Sequence, residues 1–142
     1  MKHIHKTIAL AGLLVLLTFS AALGQSDRQT IIYIPFNFTV GEKSFPAGKY
    51  VIRQNRTDSD IVWVIRHKDN VGKALVLTNP VRSTNAVEET RLVFKKYDDI
   101  YFLSKFWFPN SNTGRQIQIS DRERALAVAV KPQEHILTAR GK

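Results

Sequence analysis

Residues 35–52 read Pro-Phe-Asn-Phe-Thr-Val-Gly-Glu-Lys-Ser-Phe-Pro-Ala-Gly-Lys-Tyr-Val-Ile, and their pattern decides the fold class. Phe36, Phe38 and Val40 recur at every second position, with Asn37 and Thr39 between them. Successive side chains of a strand point to opposite faces, so this spacing puts both aromatics on one face. Gly41 permits a turn, and Glu42–Lys43–Ser44 is polar and turn-like. Pro46–Ala47–Gly48 is a second break, because Pro holds φ and Gly is free to take positive φ. Tyr50 and Ile52 resume the alternation. The stretch predicts strand, turn, strand, with a wider loop or a bulge near Phe45–Gly48.

The flanking sequence extends the same reading. Ile31–Val40 is the first expected strand and Lys49–Asn55 the second. Ile61–Val62–Trp63–Val64–Ile65 is a continuous, β-branched apolar run of the kind found in a strand covered on both faces. Ala74–Thr78 is a fourth strand, stopped by Asn79–Pro80. Arg82–Thr90 is polar and reads as the longest irregular segment of the domain, a candidate mobile loop. Arg91–Tyr97 and Ile100–Phe108 flank a tight Asp98–Asp99 turn, and Gln116–Ile119 follows a Pro- and Asn-rich loop. Ser120–Asp121–Arg122–Glu123 matches a capping box, so a short helix is expected from there to Lys131, before Pro132. The alternation Leu126, Val128, Val130 leaves a last strand open as the other reading of 124–130. About seven strands at roughly ten-residue spacing predict a mainly β fold: an antiparallel meander closed as a small barrel or sandwich, with one C-terminal helix.

The run Pro-Phe-x-Phe-x-Val-Gly-x-x-x-x-Pro-Ala-Gly-x-Tyr resembles the opening of a group of uncharacterised, exported, β-rich bacterial proteins. Leu77–Pro80, Leu92–Tyr97, Tyr101–Ser104, Gly114–Arg115 and Arg122–Arg124 are similar to that group as well, over roughly residues 31 to 130. These motifs are turn residues and core aromatics. The resemblance therefore implies export and a β fold, and brings no catalytic residue with it.

The N-terminus carries its own signal. Lys2 and Lys6 precede an apolar stretch from Ile8 to Leu17, which is short for a membrane span, and Ala22–Leu23–Gly24 offers small residues for cleavage. Residues 1–24 are expected to be a secretory signal peptide, 25–132 a single β-rich domain and 133–142 a loose basic tail. Without a cysteine anywhere, a lipid-modified N-terminus is excluded and the exported domain has no disulfides. No further segment of spanning length follows, so the processed chain is not expected to cross a membrane. The full chain has 21 basic and 12 acidic residues and a net charge of +9, which favours anionic surfaces. The cations are spread along the chain, with Lys95–Lys96 the longest basic run after residue 24, a distribution that more often serves solubility.

The search for chemistry removes most reaction classes. Only His67 and His135 follow the leader, far apart, so no metal centre is expected, and His67 reads as a strand-end residue. No Gly-x-Ser-x-Gly elbow is present. Asp98–Asp99 and Glu88–Glu89 are adjacent turn or loop carboxylates, a poor arrangement for acid–base work. No cofactor is expected. The leading expectation is an exported, non-enzymatic domain of the periplasm or cell exterior that binds or serves as an envelope component. A carrier of a small apolar ligand in a barrel is the second reading, and a cell-wall or polysaccharide hydrolase the third. Expected partners are an envelope component, an anionic surface or a small apolar ligand, with no nucleic acid. The candidate contact residues are Arg82, Glu88 and Glu89 on the polar segment and Tyr101, Lys105 and Trp107 on the aromatic strand. Mass spectrometry of the chain recovered from its own cells is expected to find Gln25 as the first residue; a chain retaining residues 1–24 would overturn the assignment of a cleaved leader.

Overall fold

The computed structural model describes residues 28–56, 59–69 and 72–140. The leader at 1–24 and parts of two expected turns, Thr57–Asp58 and Asn70–Val71, lie outside them. Ten strands and one helix are formed among the described residues. In chain order they are β1 (Gln29–Ile34), β2 (Phe38–Val40), β3 (Lys43–Phe45), β4 (Gly48–Gln54), β5 (Val62–His67), β6 (Lys73–Val87), β7 (Thr90–Tyr97), β8 (Ile100–Trp107), β9 (Ser111–Ile117), α1 (Asp121–Ala129) and β10 (Gln133–Ala139).

The decisive stretch folds as strand, turn, strand, but with different boundaries. β2 pairs with β3 across a two-residue turn at Gly41–Glu42, and Gly41 takes φ +60° at the first turn position. The first expected strand is interrupted at Pro35–Asn37, so β1 ends before the aromatics. β4 pairs back with β1, and the small β2–β3 hairpin is inserted between the two. Its corner is braced by side chains: Asn37 Oδ1 accepts the Ala47 N–H at 3.1 Å, and the Tyr50 hydroxyl donates to the Pro46 carbonyl.

The strands form one mixed sheet in the order β1-β4-β5-β6-β9-β8-β2-β3, with β7 on β8 and β10 on β7. This order departs from a meander, and the sheet is not closed as a barrel. β2 runs parallel to β8 at Thr39–Phe102; the other pairs are antiparallel. β1 and β10 lie near each other without pairing, and β1 is tied to the neighbouring β7 by a buried hydrogen bond, Thr30 Oγ1 to Thr90 Oγ1 at 3.2 Å.

Three further expectations are corrected. Arg82–Val87 is strand, and the β6–β7 connection shrinks to Glu88–Glu89. β6 continues through Pro80 because it changes partner there. Lys73–Leu77 pairs with β5, and Thr78–Arg82 pairs with β9. The Thr78 N–H points to the β5 side and bonds the Ile61 carbonyl at 2.8 Å. By alternation, the position of Pro80's missing N–H faces that same side, where β5 has already ended. The expected loose tail is also strand: Gln133–Ala139 pairs residue by residue with Lys96–Thr90. The expected helix forms, with the Ser120 hydroxyl accepting the Glu123 N–H at 3.1 Å.

The inner faces of the strands fill one core. Ile32, Ile34, Tyr50, Ile52, Trp63, Ile65 and Val76 from the first strands meet Leu92, Phe94, Leu103, Phe106 and Ile117 from the later ones. Trp63 stacks on Phe108 with ring centroids 5.3 Å apart, and its Nε1 donates to the Asp60 carbonyl. A second, smaller cluster holds Val87, Val93 and Trp107 with Val81 against them. There Trp107 covers Gly114, where an added Cβ would lie 2.5 Å from the indole. Trp107 Nε1 is buried without a hydrogen-bond partner. Gly114→Ala is therefore expected to cost about 1–3 kcal/mol in urea unfolding, and Trp107→Phe in the same chain to recover part of it; an unchanged midpoint for Gly114→Ala would contradict this packing.

Candidate functional site

The residues singled out in the sequence do not converge. Arg82 is exposed on β6, and Glu88 is exposed in the β6–β7 turn. Glu89 pairs with Arg140 Nε at 3.0 Å. Lys105 Nζ lies 3.9 Å from Glu134. Tyr101 stacks on Phe36 at 4.2 Å beside Phe94 and His135. Trp107 is buried in the small cluster and offers no open face. His67 is a buried strand-end residue whose Nδ1 accepts the Asp69 N–H at 3.1 Å. Among the described residues, no group of three or more His, Asp or Glu could hold a metal, and no helix is long and apolar enough to cross a membrane.

What the fold does bring together lies on the first four strands of the sheet. Directly opposed residues of an antiparallel pair share a face. The register therefore puts Gln29, Ile31 and Tyr33 of β1 beside Lys49, Val51 and Arg53 of β4. Val62, Val64 and Arg66 of β5 come next, followed by Lys73, Leu75 and Leu77 of β6. These twelve positions hold four cations, seven apolar residues and no carboxylate. Their opposite faces, with Ile32, Tyr50, Ile52, Trp63, Ile65 and Val76, supply the core. Tyr33, Leu75 and Leu77 stay 57, 60 and 47 % exposed, so no described element covers them. Val51 and Val64, in the middle, are buried. The expectation that Ile61–Ile65 is covered on both faces holds for Trp63, Val64 and Ile65, which are buried, and is corrected at the start of the run, where Ile61 is exposed and the outward Val62 half-buried.

At one margin of this face is a cleft of about 440 Å³, lined by Val40, Gly41, Glu42, Lys43, Lys73, Ala74 and Leu75. It forms where the β2–β3 turn lies against the start of β6. Lys43 Nζ donates to the Lys73 carbonyl at 3.2 Å, holding two lysines beside an apolar floor. The carboxylate that lines it, Glu42, accepts the Arg122 N–H at 3.3 Å and so faces α1 as well.

A second cleft, of about 430 Å³, separates α1 from the sheet and is lined by Asn79, Lys95, Ser104, Gln116, Gln118, Glu123 and Arg124, with Ile117 and Ile119. Glu123 is its one carboxylate. Its capping-box position suggests a bond back to Ser120, but the Glu123 side chain instead accepts the Tyr97 hydroxyl at 3.1 Å and lies 3.9 Å from Lys95 Nζ. Glu123 thereby fastens the helix to β7, a structural duty that accounts for its burial.

Sequence reading missed the outer face because Lys49, Arg53, Arg66 and Lys73 are spread over three strands and form no run. The available signal was local: β4 and β6 carry apolar residues on both faces, and Lys49 and Arg53 bracket Val51 at the strand period.

The Tyr97–Glu123 contact has a pH signature. Burial, then the hydrogen bond and charge of Glu123, push the Tyr97 hydroxyl up to about 12; burial alone does the same to Tyr50. An unfolded tyrosine ionises near pH 10, so the stabilisation is complete below about pH 10 and is lost as pH rises through about 12. Urea midpoints are expected to fall across that window, and Tyr97→Phe to flatten the fall; a pH-independent midpoint would refute the assignment.

Compared with family models, with curated proteins and with solved structures, the chain matches none.

Proposed function

We propose that this chain is an exported, non-enzymatic binding domain that attaches to an anionic envelope component through the outer face of β1, β4, β5 and β6. One observation carries the reading: four cations and no carboxylate share a sheet face with exposed Tyr33, Leu75 and Leu77. Leu75 and Leu77 stand together on β6 and Tyr33 at the opposite corner on β1, with the cations between them. Exposed apolar residues on one face mark interaction sites, and surrounding charge of one sign selects the partner. Within this reading the sheet is a sandwich folded at the change of partner in β6, with β1, β4 and β5 over β7, β8 and β9.

The other readings draw less support. A carrier needs an enclosed apolar interior, and here the inner faces are occupied by Trp63, Phe94 and Phe106. A glycoside hydrolase needs two converging carboxylates, and the cleft beneath α1 has Glu123 alone, already engaged by Tyr97.

Arg53→Glu with Lys73→Glu is expected to weaken retention on the protein's own envelope fragments by at least about tenfold, since each buried or interfacial charge reversal costs more than about 1 kcal/mol. Arg82→Glu, on a different part of β6, is the control. Equal loss in the control would reduce the effect to net charge and refute this face as the site.

A further inference from the structure

Resting on that reading of the outer face as the contact surface, we infer that its partner is the surface of an anionic lipid bilayer, on which the domain lies peripherally. The face offers two chemistries side by side. Lys49, Arg53, Arg66 and Lys73 match lipid phosphates, and Tyr33, Leu75 and Leu77 project apolar groups that match the acyl boundary. A polyanion such as an acidic polysaccharide would satisfy the cations and leave Leu75 and Leu77 in water. A second copy of this chain would set four cations against four like charges, which is unfavourable in a self-complementary interface. A bilayer supplies anionic headgroups and hydrocarbon at once.

The geometry also orients the domain. Long Lys and Arg side chains extend their charged ends while their stems rest on apolar surface, so the cations reach headgroups as the leucines enter below them. Tyr33 has an apolar ring and a polar tip, the form favoured at a membrane–water boundary. The marginal cleft is a place for a single headgroup within this reading: Lys43 and Lys73 line it with Val40, Ala74 and Leu75, and its one carboxylate, Glu42, accepts the Arg122 N–H. The Lys43 ammonium, fixed on the Lys73 carbonyl, directs its remaining donors to a phosphate entering there.

The test is co-sedimentation of the mature chain with vesicles of phosphatidylcholine alone and of phosphatidylcholine mixed with phosphatidylglycerol. Binding is expected only to the mixed vesicles, and to weaken more than tenfold between about 0.05 and 0.5 M salt as screening shortens the reach of the charges. Lys43→Gln with Lys73→Gln is expected to lower binding about 25-fold, at roughly fivefold per cation. Leu75→Ser with Leu77→Ser is expected to lower it on the order of tenfold, by removing apolar contact, while leaving retention on dextran sulfate unchanged. Circular dichroism of each variant checks that the sheet is intact, and Arg82→Glu serves again as the control.

Face-dependent retention on envelope fragments without vesicle binding would overturn the lipid assignment and leave the contact surface standing, with an acidic protein or polysaccharide as partner. A concentration-dependent dimer abolished by Leu75→Ser and Leu77→Ser would overturn it in favour of a second copy. Vesicle binding unaffected by any of the face variants would overturn both.

Discussion

Phe94, fully buried on β7, holds the domain together at one aromatic junction. Phe36 meets it edge-on at 5.0 Å, Phe38 at 5.8 Å and Tyr101 at 6.4 Å. These rings come from the segment after β1, from the inserted hairpin and from β8. Edge-to-face aromatic pairs contribute about 0.5–1.5 kcal/mol each beyond the area they bury. In a chain without disulfides, such contacts tie segments distant in sequence where no covalent link does. The same packing positions the hairpin against β8, and the hairpin in turn places Gly41–Lys43 beside the start of β6. The marginal cleft thus depends on the junction.

Burial is asymmetric across the sheet. The inner faces carry the large aromatics and exclude water. The reverse of β7–β9 is served by the small Trp107 cluster and by α1. That helix is held largely by polar contacts: Glu123 to Tyr97 and Lys95, and Arg122 to Glu42 and Ser44. The reverse of β1, β4, β5 and β6 has no described element over it. Antiparallel sheets commonly pack one face on the core and leave the other to solvent, because no crossover helices are laid over them, and β1, β4, β5 and β6 pair antiparallel throughout.

Local chemistry was legible. The Gly41 turn, the Asp98–Asp99 turn between β7 and β8 and the Ser120 cap of α1 each rest on residues within four positions of one another. The aromatic strand ending at Phe108 is packed on both sides near its end, with Phe106 in the main core and Trp107 in the small cluster. Tyr101 and Trp107, both contact candidates from the sequence, occupy opposite faces of β8, and both are engaged in packing.

The sequence by itself determined that this is a cysteine-free, mainly β chain, since strand alternation and turn glycines act over a few residues; it supplied the Ser120 cap but left 124–130 open between helix and strand. Tertiary structure alone decided the rest. It carried β6 through Pro80, because the missing N–H lies past the end of β5. It made Gln133–Ala139 a strand, because β7 had an open edge. It gathered Lys49, Arg53, Arg66 and Lys73 onto one face, because register between strands, and no feature of any single strand, sets which distant residues become neighbours.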